Sequence, residues 1–235
     1  MEYHRLSDRL QPDRETRESD RSMEQIREFV SFLADGAVVT LEVTLATVPL
    51  MILIAFIVGL IRLSRNRLLY GIATIYVELI RGTPLLLQLF YIFYVLPFAG
   101  FEIEPFSAAV LALGLNFGGY LSEVVRASFQ SVARGQWEAA VALNMSPALT
   151  MRRIIFPQAI RILLPPLGNN IIELFKATAI VSLVSVHDLT YQGTVLTTRT
   201  FQTAVIWVLV SGFYFLMSYP STFVVRWLER RTAFP

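Results

Sequence analysis

Five stretches of this chain are apolar for long enough to cross a lipid bilayer. Ala37 to Ile61 is a run of 25 residues with one charge, Glu42, ample for about 30 Å of hydrocarbon. A second run covers 68–98 and is broken in its middle by Glu78, Arg81 and Pro84; a third covers 106–133, with its polar residues in the later half. A fourth, 166–186, follows Pro165 and Pro166, and a fifth covers 204–225, bracketed by Trp207 and Trp227 as interfacial aromatics often are. A single soluble core has no use for several such runs. Only 16% of the 235 residues are charged, against about 25% in an average soluble domain. Lipid cannot satisfy backbone polar groups, so each run must be helical. The expectation is an all-α membrane protein: one membrane domain, residues 36–231, with five transmembrane helices.

Residues 1–35 are of another kind, with nine acidic and six basic side chains. This composition reads as a disordered or surface-lying tail. It lacks the short apolar core and small-residue cleavage site of a secretory signal, so no processing is expected. Arginine placement then orients the spans. Ten arginines lie in the loop 62–67, the stretch 134–165 and the tail 226–235, against three (Arg21, Arg27, Arg199) near the other side. The positive-inside rule puts the N-terminus outside and the C-terminus in the cytoplasm.

Several chemistries are excluded. Cysteine is absent, which removes disulfides, thiolate catalysis and cysteine zinc sites. His4 and His187 are too far apart in sequence to suggest a metal cluster, and no nucleophile–base pairing stands out, so no catalytic residue, metal or cofactor is expected. The only lysine, Lys176, follows no glycine-rich loop, so the chain cannot cradle ATP in a G-x-x-x-x-G-K-[ST] loop. Net charge is +2 with no basic stripe, which argues against nucleic acid.

The stretch 134–165, between the third and fourth runs, is the most informative. Glu138 to Leu143 is strong helix-forming sequence. Asn144 suits the left-handed residue that closes a helix. Ser146 and Pro147 read as N-cap and first residue of a second helix, which carries Arg152 and Arg153 and ends before Pro157. Two short helices on a tight turn make a compact knob outside the membrane, suited to a groove on a soluble partner.

Glu138-Ala139-Ala140, with Ile155 and Pro157 beyond it, resembles the EAA loop of ATP-binding-cassette importer permeases. The series continues with Arg81-Gly82-Thr83-Pro84-Leu85-Leu86-Leu87-Gln88, Tyr120-Leu121-Ser122-Glu123-Val124-Val125-Arg126-Ala127, Pro157-Gln158-Ala159, Leu164-Pro165-Pro166-Leu167-Gly168-Asn169 and Lys176-Ala177-Thr178. Over about residues 40–231 the chain is similar to the polar amino-acid permeases of the histidine, glutamine and arginine type. The family usually has glycine where this chain has Asn144.

The resemblance implies that Glu138, Ala139, Ala140 and Asn144 belong to a cytoplasmic helical coupling loop that docks on a dimeric ATP-binding-cassette ATPase. It also implies an extracytoplasmic solute-binding protein and a place in the bacterial plasma (inner) membrane. Five spans are too few to enclose a pathway, so a second permease chain, identical or related, is expected. The substrate class implied is polar amino acids. The runs Ala142–Ser146 and Asp188–Thr190 are also similar to importers of compatible solutes such as ectoine, so that class stays open.

Charges at membrane depth are costly and usually face protein or a water-filled path. Glu78 and Arg81 are three apart on one helix face, as are Glu173 and Lys176, and both read as ion pairs. Pro84 removes a helical hydrogen bond and should kink or unwind the second run, freeing carbonyls that need partners. Asn116, Tyr120, Glu123 and Arg126 form one polar stripe on the third span, while Gly114 and Gly118 permit close helix contact. A zwitterionic solute needs an acceptor for its ammonium and donors for its carboxylate; Asn116, Tyr120, Glu123 and Asn170 are the residues expected to face it. The alternative is a subunit of a secondary transporter driven by an ion gradient through the buried carboxylates.

Overall fold

The computed structural model describes residues 12–232, and among them every regular element is helical. Helix α1 runs unbroken from Pro12–Ile61, about 75 Å at 1.5 Å per residue. That is more than twice the hydrocarbon thickness. The tail expected to be disordered or surface-lying is, from Pro12 onward, helix continuous with the first span; residues 1–11 lie outside the described residues. Phe29, Leu33 and Ala37, spaced four apart, supply the reason. They bury against Leu189, Leu196, Ile206 and Val210 from two later helices in a second hydrophobic core. Charge content alone conceals such a stripe, because its partners lie some 160 residues on.

Helix α2 (Arg67–Gly82) begins on Asn66, whose Oδ1 accepts from the backbone N–H of Leu68 and Leu69. It stops at Gly82–Pro84, and α3 (Leu85–Phe90) sets off at 107° to it. The chain continues through a π-helical turn (Tyr91–Val95) and a 3-10 turn (Leu96–Ala99) to Gly100, whose φ of 87° closes the segment. The second apolar run is thus a broken span, as Pro84 requires.

Helix α4 (Pro105–Gln130) is the most buried span and packs along α1. A Cβ on Gly114 would sit 2.5 Å from Leu50, and one on Gly118 2.8 Å from Ile54. The G-x-x-x-G spacing therefore serves as the groove that receives α1. Around this seam Val43, Met51, Ala55, Leu113, Leu121, Val125, Leu163 and Leu174 form the main core.

After α5 (Arg134–Ala142) and a tight turn comes α6 (Pro147–Thr150), a π-helical turn (Met151–Ile155) and α7 (Phe156–Ala177), all right-handed and continuous. The expected stop before Pro157 does not occur. Pro157 stands directly after the π turn, where the backbone N–H of Phe156 reaches back to Met151, and the wider turn accommodates the ring. The fourth span is the upper part of a helix that starts at Pro147 and extends through a 3-10 segment to Val184. Helix α8 (Leu189–Thr200) is short and packs on the N-terminal half of α1; α9 (Thr203–Thr232) is the last span.

Candidate functional site

Two places on this scaffold hold the residues that the sequence singles out. The first is the knob. Helix α5 ends in a Schellman closure: Met145 N–H donates to Ala140 O at 3.0 Å and Asn144 N–H to Val141 O at 2.9 Å, with Asn144 at φ 53°. This is the left-handed position that glycine usually fills. Ser146 then caps α6, its Oγ accepting from Leu149 N–H at 3.4 Å. Ala140 is buried, fixing α5 to the body, while Glu138 faces solvent beside Arg134 at 3.2 Å. Val141 and Leu143 are 76% and 73% exposed, an apolar surface on a helix end that nothing among the described residues covers.

The second place is a cavity of about 390 Å³ between α4 and α7, lined by Asn116, Phe117, Tyr120, Val124, Asn170 and Glu173. Three of the four residues expected to face a solute, Asn116, Tyr120 and Asn170, meet there although 54 positions separate the first from the last. Asn116 is almost fully buried and its Nδ2 donates to Gln88 Oε1 at 3.1 Å. Gln88 in turn donates to Ile80 O at 2.9 Å and Thr83 O at 3.2 Å, the carbonyls left open by the break at Pro84. The expected need for carbonyl partners is met by this side chain together with the Thr83 hydroxyl, which donates to Leu79 O at 2.8 Å. Asn170 Nδ2 donates to Pro166 O at 2.9 Å, in the turn that follows the two prolines.

Glu123 is elsewhere. Its carboxylate is held by Arg62 at the end of α1 and by Arg126 one turn along α4, so its stripe splits, with Asn116 and Tyr120 on the cavity and Glu123 in an ion cluster. The carboxylate that lines the cavity is Glu173. It was expected to pair with Lys176, as Glu78 was with Arg81, but neither pair forms; all four side chains are exposed. A spacing of three brings two long side chains to one face without fixing their rotamers, and an open ion pair gains too little to hold them. The sequence analysis gave Glu173 only an ion pair with Lys176, which does not form, and it missed Gln88 and Arg62. Gln88 lies one helical turn after Pro84, which is the signal that could have found it.

A third polar group, also unforeseen, joins the two cores. Asp188 is fully buried and caps α8, accepting from Tyr191 N–H at 2.9 Å and Thr190 N–H at 3.2 Å; the Tyr214 hydroxyl donates to it at 3.3 Å. Leu189 N–H donates to Thr40 Oγ1 on α1. Burial pushes the Asp188 carboxyl up to about 6, against the pull of those donors.

An all-α bundle with a broken span, a polar cavity between spans and an exposed helical knob defines a multi-pass membrane permease. The chain belongs to the family of binding-protein-dependent transport system inner membrane components, whose pattern matches residues 40–234. It is 38% identical over 204 residues to the L-cystine transport system permease protein of Bacillus subtilis (strain 168), covering 86% of this chain and 87% of that one. It is 34% identical over 204 residues to the glutamine transport system permease protein of Escherichia coli (strain K12), covering 86% and 93%. Among solved structures, an amino acid ABC transporter crystallised with histidines superposes with a TM-score of 0.84 at 35% identity, covering 88% and 97%. An inward-facing methionine ABC transporter does so with 0.73 at 21% identity, covering 86% and 97%; that likeness shows the fold alone. The chain is a transport permease of the ABC importer class, as the relatives it matches are.

Proposed function

We propose that this chain forms, with a second permease chain, the path by which amino acids enter a bacterial cell through the plasma membrane, N-terminus outside and C-terminus in the cytoplasm. ATP is hydrolysed by a separate pair of ATPase subunits that receive α5 in a groove, and an extracytoplasmic binding protein delivers the solute. The observation that carries this reading is the knob. Its Asn144 closure and Ser146 cap rigidly present Glu138, Val141 and Leu143, and an apolar surface outside the membrane calls for a partner.

The cavity supports amino acids as the cargo. Its 390 Å³ lies within the roughly 300–1,000 Å³ of small-molecule sites. Glu173 supplies the acceptor for an ammonium group, while Asn116, Tyr120 and Asn170 offer amide and hydroxyl groups for a carboxylate. Asn116 has one donor given to Gln88 and its carbonyl free to turn to the solute. The test is uptake of labelled glutamine, cystine, histidine, arginine and ectoine by the complex in proteoliposomes, with and without ATP. ATP-dependent uptake of one of the amino acids is expected. Uptake by the permease with no ATPase present would overturn the reading in favour of an ion-gradient transporter.

A further inference from the structure

The half of the α4 stripe that does not reach the cavity reaches the knob. Glu123 gives one carboxylate oxygen to Arg62 and the other to Arg126. Arg126 also donates through Nη1 to Gln130 Oε1 at 2.6 Å. Gln130, with Leu63, Phe129, Trp137 and Met151, lines a second cavity, of about 280 Å³. Trp137 belongs to α5, beside Glu138; Met151 opens the π turn; Leu63 directly follows Arg62. Both arms of the ion cluster therefore end on the space that the knob helix closes. The Arg62 side chain is only 9% exposed and its Nε has no hydrogen-bond partner among the described residues. Glu123 is the anion that neutralises it, and an arginine so buried is held by that one contact.

We propose that Arg62, Glu123, Arg126 and Gln130 are a clamp that makes α1 and α4 a single lever with its foot on the knob. This rests on the reading of the chain as an ATP-driven permease. Movement of Trp137 presses on Gln130, Phe129 and Leu63; the clamp keeps α1 and α4 from sliding past each other under that load. Their glycine seam carries the motion along α4 to Tyr120 and Asn116, 10 and 14 residues from Gln130, or about 15 and 21 Å at 1.5 Å per residue. Glu123 is then a positioning residue that never touches the solute.

The test is the number of labelled glutamine, cystine or histidine molecules taken up per ATP hydrolysed by the complex in proteoliposomes. Glu123→Gln is expected to keep ATP hydrolysis within about twofold, to lower uptake per ATP about tenfold and to leave the KM for solute unchanged, with Glu123→Asp recovering part of the loss. Arg126→Gln keeps the neutral Arg62–Glu123 pair, so it folds even where Glu123→Gln does not, and it should lower the same ratio. Wild-type uptake per ATP in Arg126→Gln, or a raised KM with normal coupling in Glu123→Gln, overturns the clamp. So does a parallel loss of hydrolysis and uptake in both variants, which is plain structural damage. Absence of ATP-driven uptake in the wild type would defeat the functional reading itself; wild-type transport with an unaltered ratio in the variants defeats the clamp alone.

Discussion

Between Arg134 and Thr150 the bonds that close and cap the knob helices join residues at most five apart: Met145 to Ala140, Asn144 to Val141, Leu149 to Ser146. One long bond, from Gln158 Nε2 to Gln136 Oε1 at 3.2 Å, ties α5 to α7. In the membrane body the deciding contacts are long. Asn116 meets Gln88 and shares a cavity with Asn170, Arg62 meets Glu123, and Thr40 meets Leu189 across 149 positions. The part that we propose fits a partner is shaped mainly by local bonds. The part that must change shape is built from contacts between helices. A permease that alternates between states needs that division, because a knob that deformed under load would transmit nothing.

If the division is right, damage should be large where contacts are long-range and small in the knob. Gly118→Leu should be the most severe change, since even a Cβ there would lie 2.8 Å from Ile54. We expect a loss of about 3 kcal/mol or more, read as a collapse in thermal stability in detergent. Asp188 comes next. A carboxyl raised from its ordinary range to about 6 favours the folded state fully at acid pH, below the unfolded value near 3.8. It loses that contribution as pH rises through 6. The protein should thus melt higher at pH 5 than at pH 8, and Asp188→Asn, which keeps an N-cap acceptor, should flatten the profile between about pH 4 and 7. A shift of this size corresponds to about 3 kcal/mol; a flat wild-type profile would show that the buried carboxyl pays no such penalty.

A sharper cut runs between the two carboxylates. Glu173→Gln should raise the KM for solute about tenfold, or about 1.4 kcal/mol, with normal ATP use per solute. Glu123→Gln should do the reverse. Equal effects from both would merge the cavity and the ion cluster into one site. The smallest effect belongs to the knob: Asn144→Gly should raise stability by about 0.5 kcal/mol with unchanged transport. A large drop in uptake from that change would mean that the Asn144 side chain itself touches the partner.

Much of the knob was legible beforehand. Asn144, Ser146 and Pro147 signal a helix end and a helix start through their own backbone preferences, and the structure has both. What was missed is that the second helix does not stop, because a π turn absorbs Pro157. Of the cavity, the polar stripe on α4 was legible by its spacing. Which end of it lines the cavity was not, because Glu123 is drawn away by Arg62, a residue at the end of another helix whose sequence neighbourhood reads as a simple positive-inside loop.

The sequence by itself determined that the chain is a multi-pass membrane protein, and that a helix ends at Asn144 and another starts at Ser146. Those outcomes rest on hydrophobic length and on backbone preferences, which act within one helix. Only the tertiary structure decided which charged side chains pair, which carboxylate lines the cavity, and that the polar N-terminal stretch from Pro12 continues the first span. Each of these depends on a partner from another helix, and a helix face says what a residue can reach without saying what will be there.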